Sequence, residues 1–323
     1  MDNHTRVKRK KKSKTKKPLW KKVLTGLIVF LGIFTVTGLF VGWQIYRDLQ
    51  ASTENMYTPS DQEQKRNNPL VVDDGTDAFS VLLLGIDTGD MGRVEQGRSD
   101  TMMVMTINPN TDKTTLVSIP RDTYTEISGR GTMDKINHAY AFGGTSMSVN
   151  TVQNLFDIPI DYYISINMEG LQQIVDAVGG ITVTPHLTFE QGGYSFVDGQ
   201  KTNMDGKMAL EYSRMRKKDP NGDYGRQERQ REVVQASARK MASVESVLNY
   251  KDVLNTLSVN MQTNLTFDNM VNTFTKYNSA IGNINQEQLT GAGRLQDEIY
   301  YEFIPDNEIQ RVSNILKHEL ELN

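Results

Sequence analysis

Apolar and polar positions divide the chain into three stretches. Val23 to Tyr46, VLTGLIVFLGIFTVTGLFVGWQIY, runs for 24 residues without a charge. As a helix rising ~1.5 Å per residue, it is long enough to cross a hydrocarbon core of about 30 Å. Residues 47–75, RDLQASTENMYTPSDQEQKRNNPLVVDDG, are mostly polar and read as a stalk. Regular patterning begins after them. AFSVLLLGID is an apolar run ending in Asp87, the signature of a buried strand. TMMVMTI (101–107) and TTLVSIP (114–120) are two further strands, joined by the turn-rich NPNTDK. DYYISIN and ITVTP read as strands on either side of a helical MEGLQQIVDAVGG. Helical patterns also cover 138–156, 204–213 and 225–247, and NEIQRVSNILKHEL closes the chain as a helix. HLTFEQGGYSFVDGQ (186–200) is either a lid or a plain hairpin. With no repeat and no long internal linker, residues 76–323 are expected to form one α/β domain, a sheet covered by helices.

Charge gives this layout a direction. Residues 1–46 hold eleven Lys or Arg against one Asp, while 47–323 hold 25 basic and 38 acidic groups. The blocks RVKRKKKSKTKK and KK precede the apolar run, and only Arg47 and Asp48 follow closely. The positive-inside rule then makes 1–22 a cytoplasmic segment, 23–46 a transmembrane signal anchor, and 47–323 extracellular. Trp20 and Trp43 lie near the two ends of the span, where indoles favour the interface. No A-x-A cleavage site follows, so the anchor is expected to stay attached, in a single-pass protein of the cell membrane. The acidic body disfavours nucleic acid, whose binding depends on neutralising phosphates.

The chain has no cysteine, which excludes thiol catalysis and cysteine metal sites. It has four histidines, and the tail KHELELN is not an HExxH motif. Neither GxSxG nor GxxxxGK[ST] occurs, so the usual hydrolase and nucleotide-loop readings lack support.

Chemistry is expected where the first strands end. If 101–107 and 114–120 form an antiparallel hairpin, Asp100 comes near Arg121. If 79–86 is antiparallel to 101–107, Asp87, Arg98 and Asp122 join them at the same edge. Two carboxylates there suit Mg²⁺, which takes one or two carboxylates with water and phosphate oxygens. Simple pairing of Asp87 and Asp100 with Arg98 and Arg121 is the structural alternative. The stretch SRMRKKDPNGDYGRQERQR (213–231) concentrates seven basic residues against three acids. Arg226, Arg229 and Gln230 stand at i, i+3 and i+4, sharing a helix face that continues into Val233 and Val234. Arg214 and Arg216 would point the same way if SRMR is extended ahead of DPNGD. Arginines rather than lysines fit bidentate gripping of phosphate oxygens, whereas Lys217 and Lys218 read as solvated surface charges. A pyrophosphate with bound metal would balance such a set, and phosphoryl transfer uses these parts.

The strings VLLLGID, GRSDTMMVMTINPNT, LVSIPRDTY, KINHAYAFGG, VDAVGGITV and DGKMALEYSRMRKKDPNGDYGRQERQREVV occur in order across residues 79–245. Together with the basic and apolar N-terminus, they resemble the LytR-CpsA-Psr (LCP) family of Gram-positive cell envelopes. The tail to residue 323 is similar to the family's C-terminal continuation. The resemblance implies an α-β-α sandwich holding a polyprenyl chain in an apolar pocket with its pyrophosphate at the mouth. It implies a phosphotransferase moving wall teichoic acid, capsule or a related glycopolymer from undecaprenyl pyrophosphate to a muramic acid hydroxyl of peptidoglycan. By motif, Asp87 and Asp100 fall on the metal-binding carboxylates for Mg²⁺. Arg98, Arg121, Arg214, Arg216, Arg226, Arg229 and Gln230, with Lys135, fall on the pyrophosphate-facing set. Arg121 would act on the transferred group, and Asp122 and Asp223 are the candidates for the base. A membrane-anchored transcriptional regulator, a non-catalytic polyprenyl-lipid binder and a pyrophosphatase are the rival readings.

Overall fold

Strand β1 (Phe79–Ile86) reads FSVLLLGI and is buried along most of its length. Successive side chains of a strand face opposite ways, so such a run needs cover on both sides. It has that cover. Leu82 and Leu84 pack in one cluster with Val149 and Phe156 of the helix His138–Phe156 and with Val312 and Leu316 of the helix Asp306–Glu319. Phe79 and Val81 face the other way, into a cluster with Tyr277 and Ala280.

The computed structural model describes residues 42–66, 70, 72, 74–87, 97–241 and 250–322. The expected span 23–46 lies outside them except for residues 42–46, which are helical, and the loop 88–96 lies outside them entirely. Among the described residues no helix is long and apolar enough to cross a membrane. Two compact units emerge, Met1–Asp48 and Leu49–Asn323.

The second unit is built on one sheet. β2 (Ser99–Asn108) runs antiparallel to β1, and β3 (Lys113–Ile119) antiparallel to β2, with Leu84 opposite Met102 and Met102 opposite Ile119. Three small ribbons lie apart from it: β4 (Tyr124–Ile127) with β5 (Thr132–Lys135), β7 (Ile181–Val183) with β10 (Thr202–Met204), and β8 (Phe189–Gln191) with β9 (Tyr194–Phe196). β6 (Tyr162–Asn167) lies parallel to β1 on its other side. β11 (Met261–Thr263) and β12 (Ile284–Gln288) close the edges, giving the order β11-β6-β1-β2-β3-β12. A last ribbon pairs β13 (Ala292–Gln296) with β14 (Ile299–Phe303).

The expected hairpin and its antiparallel partner are therefore both present, in a mixed α/β fold. The segment 186–200 is a plain hairpin whose Phe189 and Phe196 stack at 4.6 Å and pack against Tyr212. ITVTP supplies only a three-residue ribbon strand outside the main sheet.

The polar segment 47–75 behaves differently from a stalk. From residue 49 onward it is part of the second unit, with Thr53, Met56 and Val72 buried. Its polarity is spent on hydrogen bonds to the domain, so composition alone misread it as solvated. Gln62 Nε2 donates to the Ile160 carbonyl at 2.7 Å, and the Tyr163 hydroxyl donates to the Thr58 carbonyl at 2.7 Å. Arg66 grips Asp161 with both Nε and Nη2, and Asp161 also accepts from the Ser80 N–H at 2.9 Å. Breaking a buried pair from one side leaves the other charge uncompensated. Asp161→Ala is therefore expected to cost about 3–5 kcal/mol of stability, measured by chemical denaturation of the purified protein.

Candidate functional site

The antiparallel register sets the site. The chain leaves β3 through Pro120 into a tight turn, in which Thr123 N–H donates to the Pro120 carbonyl at 3.0 Å. That corner holds Arg121 and Asp122 beside the start of β2. Arg121 Nη1 donates to Asp100 Oδ1 at 2.8 Å, and Arg121 Nε pairs with Asp122 Oδ2 at 3.7 Å. The β4–β5 ribbon returns Lys135 opposite Tyr124 and sets Lys135 Nζ 2.8 Å from Asp122 Oδ1. At the end of β1, Asp87 N–H donates to the Arg98 carbonyl at 3.1 Å, and the Asp87 carboxylate accepts from the Arg98 N–H. The Arg98 side chain is exposed.

The second wall comes from the basic stretch. The helix Gly206–Arg214 is capped at its start by the Asp205 side chain, which accepts from Met208 N–H at 2.8 Å. It meets no breaker before Pro220 and runs through Ser213 and Arg214, so extended backbone begins only at Met215. The expectation of an extended SRMR is corrected accordingly: Arg214 ends a helix and Arg216 lies in the following loop. The helix Asp223–Met241 then starts with Asp223. Arg226 Nη2 lies 2.8 Å and Arg216 Nε 3.6 Å from Asp223 Oδ1, as ion pairs without hydrogen-bond alignment.

These two walls face one another electrostatically. Burial alone would lower the Arg121 pKa, but Asp100 and Asp122 outweigh it, with help from Asp223, and hold it above its ordinary value. Arg226 is pushed below its ordinary value by burial, and Arg121 and Arg216 add to this against Asp223 and Asp100. A buried guanidinium in that position gains from an added anion. Buried polar atoms here also lack hydrogen-bond partners in the protein: Arg121 Nε, Arg226 Nε and Gln230 Oε1.

Asp100, Arg121, Asp122, Lys135, Arg216, Asp223 and Arg226 thus form one group, with Asp87 and Arg98 at the adjacent strand end. Arg229 does not join it through contacts. It is 5% exposed, and its guanidinium binds Asp219 and the Tyr212 and Met215 carbonyls while lying over Phe189. It braces the loop carrying Arg216.

Glu302 and Arg231, which the sequence did not single out, complete the surroundings. Glu302, on β14, accepts from the Tyr224 hydroxyl at 2.7 Å and the Tyr300 hydroxyl at 2.8 Å. Burial, then Glu302, pushes Tyr300 up to about 12. Arg231 is buried with neutral partners, Ser118 Oγ at 2.7 Å and Gln286 Oε1 at 3.0 Å. Just beyond Arg231 on the same helix, Val234 and Ala238 help line an almost wholly apolar cavity of about 300 Å³, with Phe79, Val81, Met105 and Leu116 of the sheet.

A sheet edge of paired acids and arginines thus lies at one end of the helix Asp223–Met241, and an apolar cavity lies further along it. A model of the LytR_cpsA_psr family matches residues 43–318, and the chain belongs to that family. It is 49% identical over 298 residues to the Enterococcus faecalis protein named polyisoprenyl-teichoic acid–peptidoglycan teichoic acid transferase TagU, a match covering 92% of this chain and 96% of that one. The Bacillus subtilis protein of the same name is 42% identical over 299 residues, covering 91% and 96%. The solved structure of TagT bound to LIIa-WTA superposes with a TM-score of 0.68 at 30% identity, covering 82% of this chain and 100% of that one.

Two outcomes follow from this geometry. A Cβ on Gly225 would come within 2.0 Å of Asp219 Oδ2, a carboxylate already held by Arg229 and the Asn221 N–H. Gly225→Ala is expected to cost about 1–3 kcal/mol by overpacking, read by denaturation, with transfer activity falling as the Arg216 loop shifts. Glu232 is raised above the ordinary glutamate range by burial, which outweighs the Tyr212 hydrogen bond and His186. A carboxyl raised on folding favours the fold while protonated and loses that contribution as pH rises through its raised value. Glu232→Gln, which keeps an acceptor for Tyr212, should match wild-type Tm near pH ~4 and exceed it near pH ~8.

Proposed function

We propose that this chain is a phosphotransferase moving a teichoic-acid-type glycopolymer from undecaprenyl pyrophosphate to peptidoglycan. One observation carries the reading. The helix Asp223–Met241 bears Arg226 in the charged group and Val234 in the apolar cavity. Eight residues of helix separate them by about 12 Å, so one rigid element spans an anion site and a lipid site. A polyprenyl pyrophosphate has that polarity, with its chain in the cavity and its head at the arginines. The relatives are named for a polyisoprenyl-linked teichoic acid as donor and peptidoglycan as acceptor, which supports this reading.

Arg121, Arg216 and Arg226, with Arg98, Arg214 and Lys135, hold the pyrophosphate oxygens and disperse charge as it shifts towards the leaving phosphate. Arg229 and Gln230 support them from the helix. The acceptor hydroxyl attacks the sugar-proximal phosphorus and forms a new P–O bond. The bond from that phosphorus to the bridging oxygen breaks, and undecaprenyl phosphate leaves. The hydroxyl proton passes to a carboxylate. Asp122, shared between Lys135 and Arg121, and Asp223, shared between Arg226, Arg216 and Gln227, are the two carboxylates placed to take it.

Asp87 and Asp100 are the residues that would hold Mg²⁺. No group of three or more His, Asp or Glu able to cage a metal exists among the described residues. Two hard carboxylates completed by phosphate oxygens fit Mg²⁺ better than an all-protein site would. When bound, the ion supplies further charge neutralisation on the diphosphate. Residues 23–46 anchor the chain in the cell membrane with residues 1–22 in the cytoplasm, which puts the site on the outer side, beside both the lipid carrier and the wall.

Purified protein is given a lipid-linked teichoic acid precursor and peptidoglycan fragments, and ligated product is counted. Arg121→Ala should lower transfer by about 10²-fold or more with native circular dichroism. Chelation should abolish turnover, and added Mg²⁺ should restore it. Transfer by Arg121→Ala at the wild-type rate would sink the site assignment.

A further inference from the structure

Glu302 is a buried acid that the reaction above leaves unused. It is 6% exposed, and no lysine, arginine or histidine pairs with it among the described residues. Burying a carboxyl group without a cation is costly unless hydrogen bonds compensate. Here two phenols do so, from different parts of the chain. Tyr224 donates to Oε1 at 2.7 Å and Tyr300 to Oε2 at 2.8 Å. The backbone adds a third tie, because Glu302 N–H donates to the Asp122 carbonyl at 2.8 Å.

The partners matter more than their number. Tyr224 directly follows Asp223, and its hydroxyl also accepts from the Gly291 N–H at 2.7 Å. Asp122 directly follows Arg121 and pairs with Lys135. A single residue on the C-terminal hairpin is therefore bonded to the backbone of one candidate base, Asp122, and to the residue that follows the other, Asp223. Tyr300 reaches Glu302 by lying over Gly293, where a Cβ would come within 2.0 Å of the phenol oxygen.

We propose that Glu302 is a positioning residue for transfer: held to Asp122 through its backbone and to Asp223 through Tyr224, it fixes the spacing of those two carboxylates across the Arg121–Arg226 group. This rests on the function proposed above. A carboxylate suits the task because each oxygen can accept one phenol, whereas an amide presents an acceptor on one side and a donor on the other. Glu302→Gln keeps the shape and the backbone tie while disturbing one phenol. Tyr224→Phe keeps the packing and cuts the link to Asp223. Tyr300→Phe cuts only a contact within the hairpin.

Wild type and the three variants are compared for kcat, donor KM and Tm in the transfer assay. Misplacement by about 1 Å can cost on the order of 10²-fold in rate. Glu302→Gln and Tyr224→Phe are expected to lose about tenfold or more in kcat, with donor KM within about twofold and Tm nearly unchanged. Tyr300→Phe should lose less than Tyr224→Phe. Unchanged kcat in Glu302→Gln and Tyr224→Phe, with an active wild type, overturns the assignment alone. So does a kcat loss that tracks Tm and is largest in Tyr300→Phe, since that is the pattern of a purely structural hairpin clasp. Should Glu302→Gln fail to fold, the two phenylalanine variants decide by the same criteria. An inactive wild type would overturn the functional reading and this assignment with it.

Discussion

The site depends on Arg121 being held between Asp100 and Asp122 without being used up by them. Both carboxylates are half-buried, and together they keep the guanidinium charged at the sheet edge despite its burial. Neither engages it fully, because Arg121 Nε lacks a hydrogen bond. The same compromise recurs at Arg226, which sits close to Asp223 with its Nε unpartnered. Unpaired arginines this close would repel one another and resist burial. Fully satisfied ones would have nothing left for a substrate. Loose pairing with acids lets the cations be placed before an anion arrives, and it leaves donors for that anion to take. The acids counted in the sequence as outnumbered neighbours are thus part of how the cationic site stays folded.

On the function proposed above, the helix Asp223–Met241 joins that electrostatic arrangement to a place for the apolar part of the substrate. Its first turn is acidic and carries Arg226, while Val234 and Ala238 face the cavity. Arg231 falls between the two regions and is buried on neutral partners, Ser118 of β3 and Gln286 of β12. Burial lowers its pKa, and Glu228, Glu232 and Glu287 act against that without pairing with it directly.

Much of this was legible in the sequence, for a specific reason. β1, β2 and β3 are local in sequence and strongly patterned, so their antiparallel order and the meeting of Asp100 with Arg121 follow from connectivity. The helices expected over 138–156 and 307–320 were equally plain and lie at His138–Phe156 and Asp306–Glu319, although the first is kinked at Gly143 and Gly144. What escaped was either polar or distant. β11 and β12, MQT and INQEQ, carry no apolar alternation and exist as strands only because a sheet edge is there to pair with. The segment after residue 49 looked solvated because its hydrogen-bonding side chains were counted as polar without their partners in view. Shared spacing on a helix placed Arg226 and Arg229 on one face, yet the loop at 215–222 folds back and claims Arg229 through Asp219 and two carbonyls. Glu302 carried no local signal at all, because its role is defined by Tyr224 and Asp122, far away in the chain.

That distance has a consequence for how the site comes into being. Its parts arrive from the ends of β1 and β2, the corner after β3, the loop and helix around Asp223, and the hairpin ending at Phe303. Closing loops of that length lowers chain entropy before any contact rewards it, and gathering like charges adds a further cost. The sheet and its two apolar clusters supply the driving force that offsets both costs. Glu302 has its partners only where the Asp122 corner and the Asp223 helix are both in place, so the integrity of the domain is tied to the geometry of the charged group.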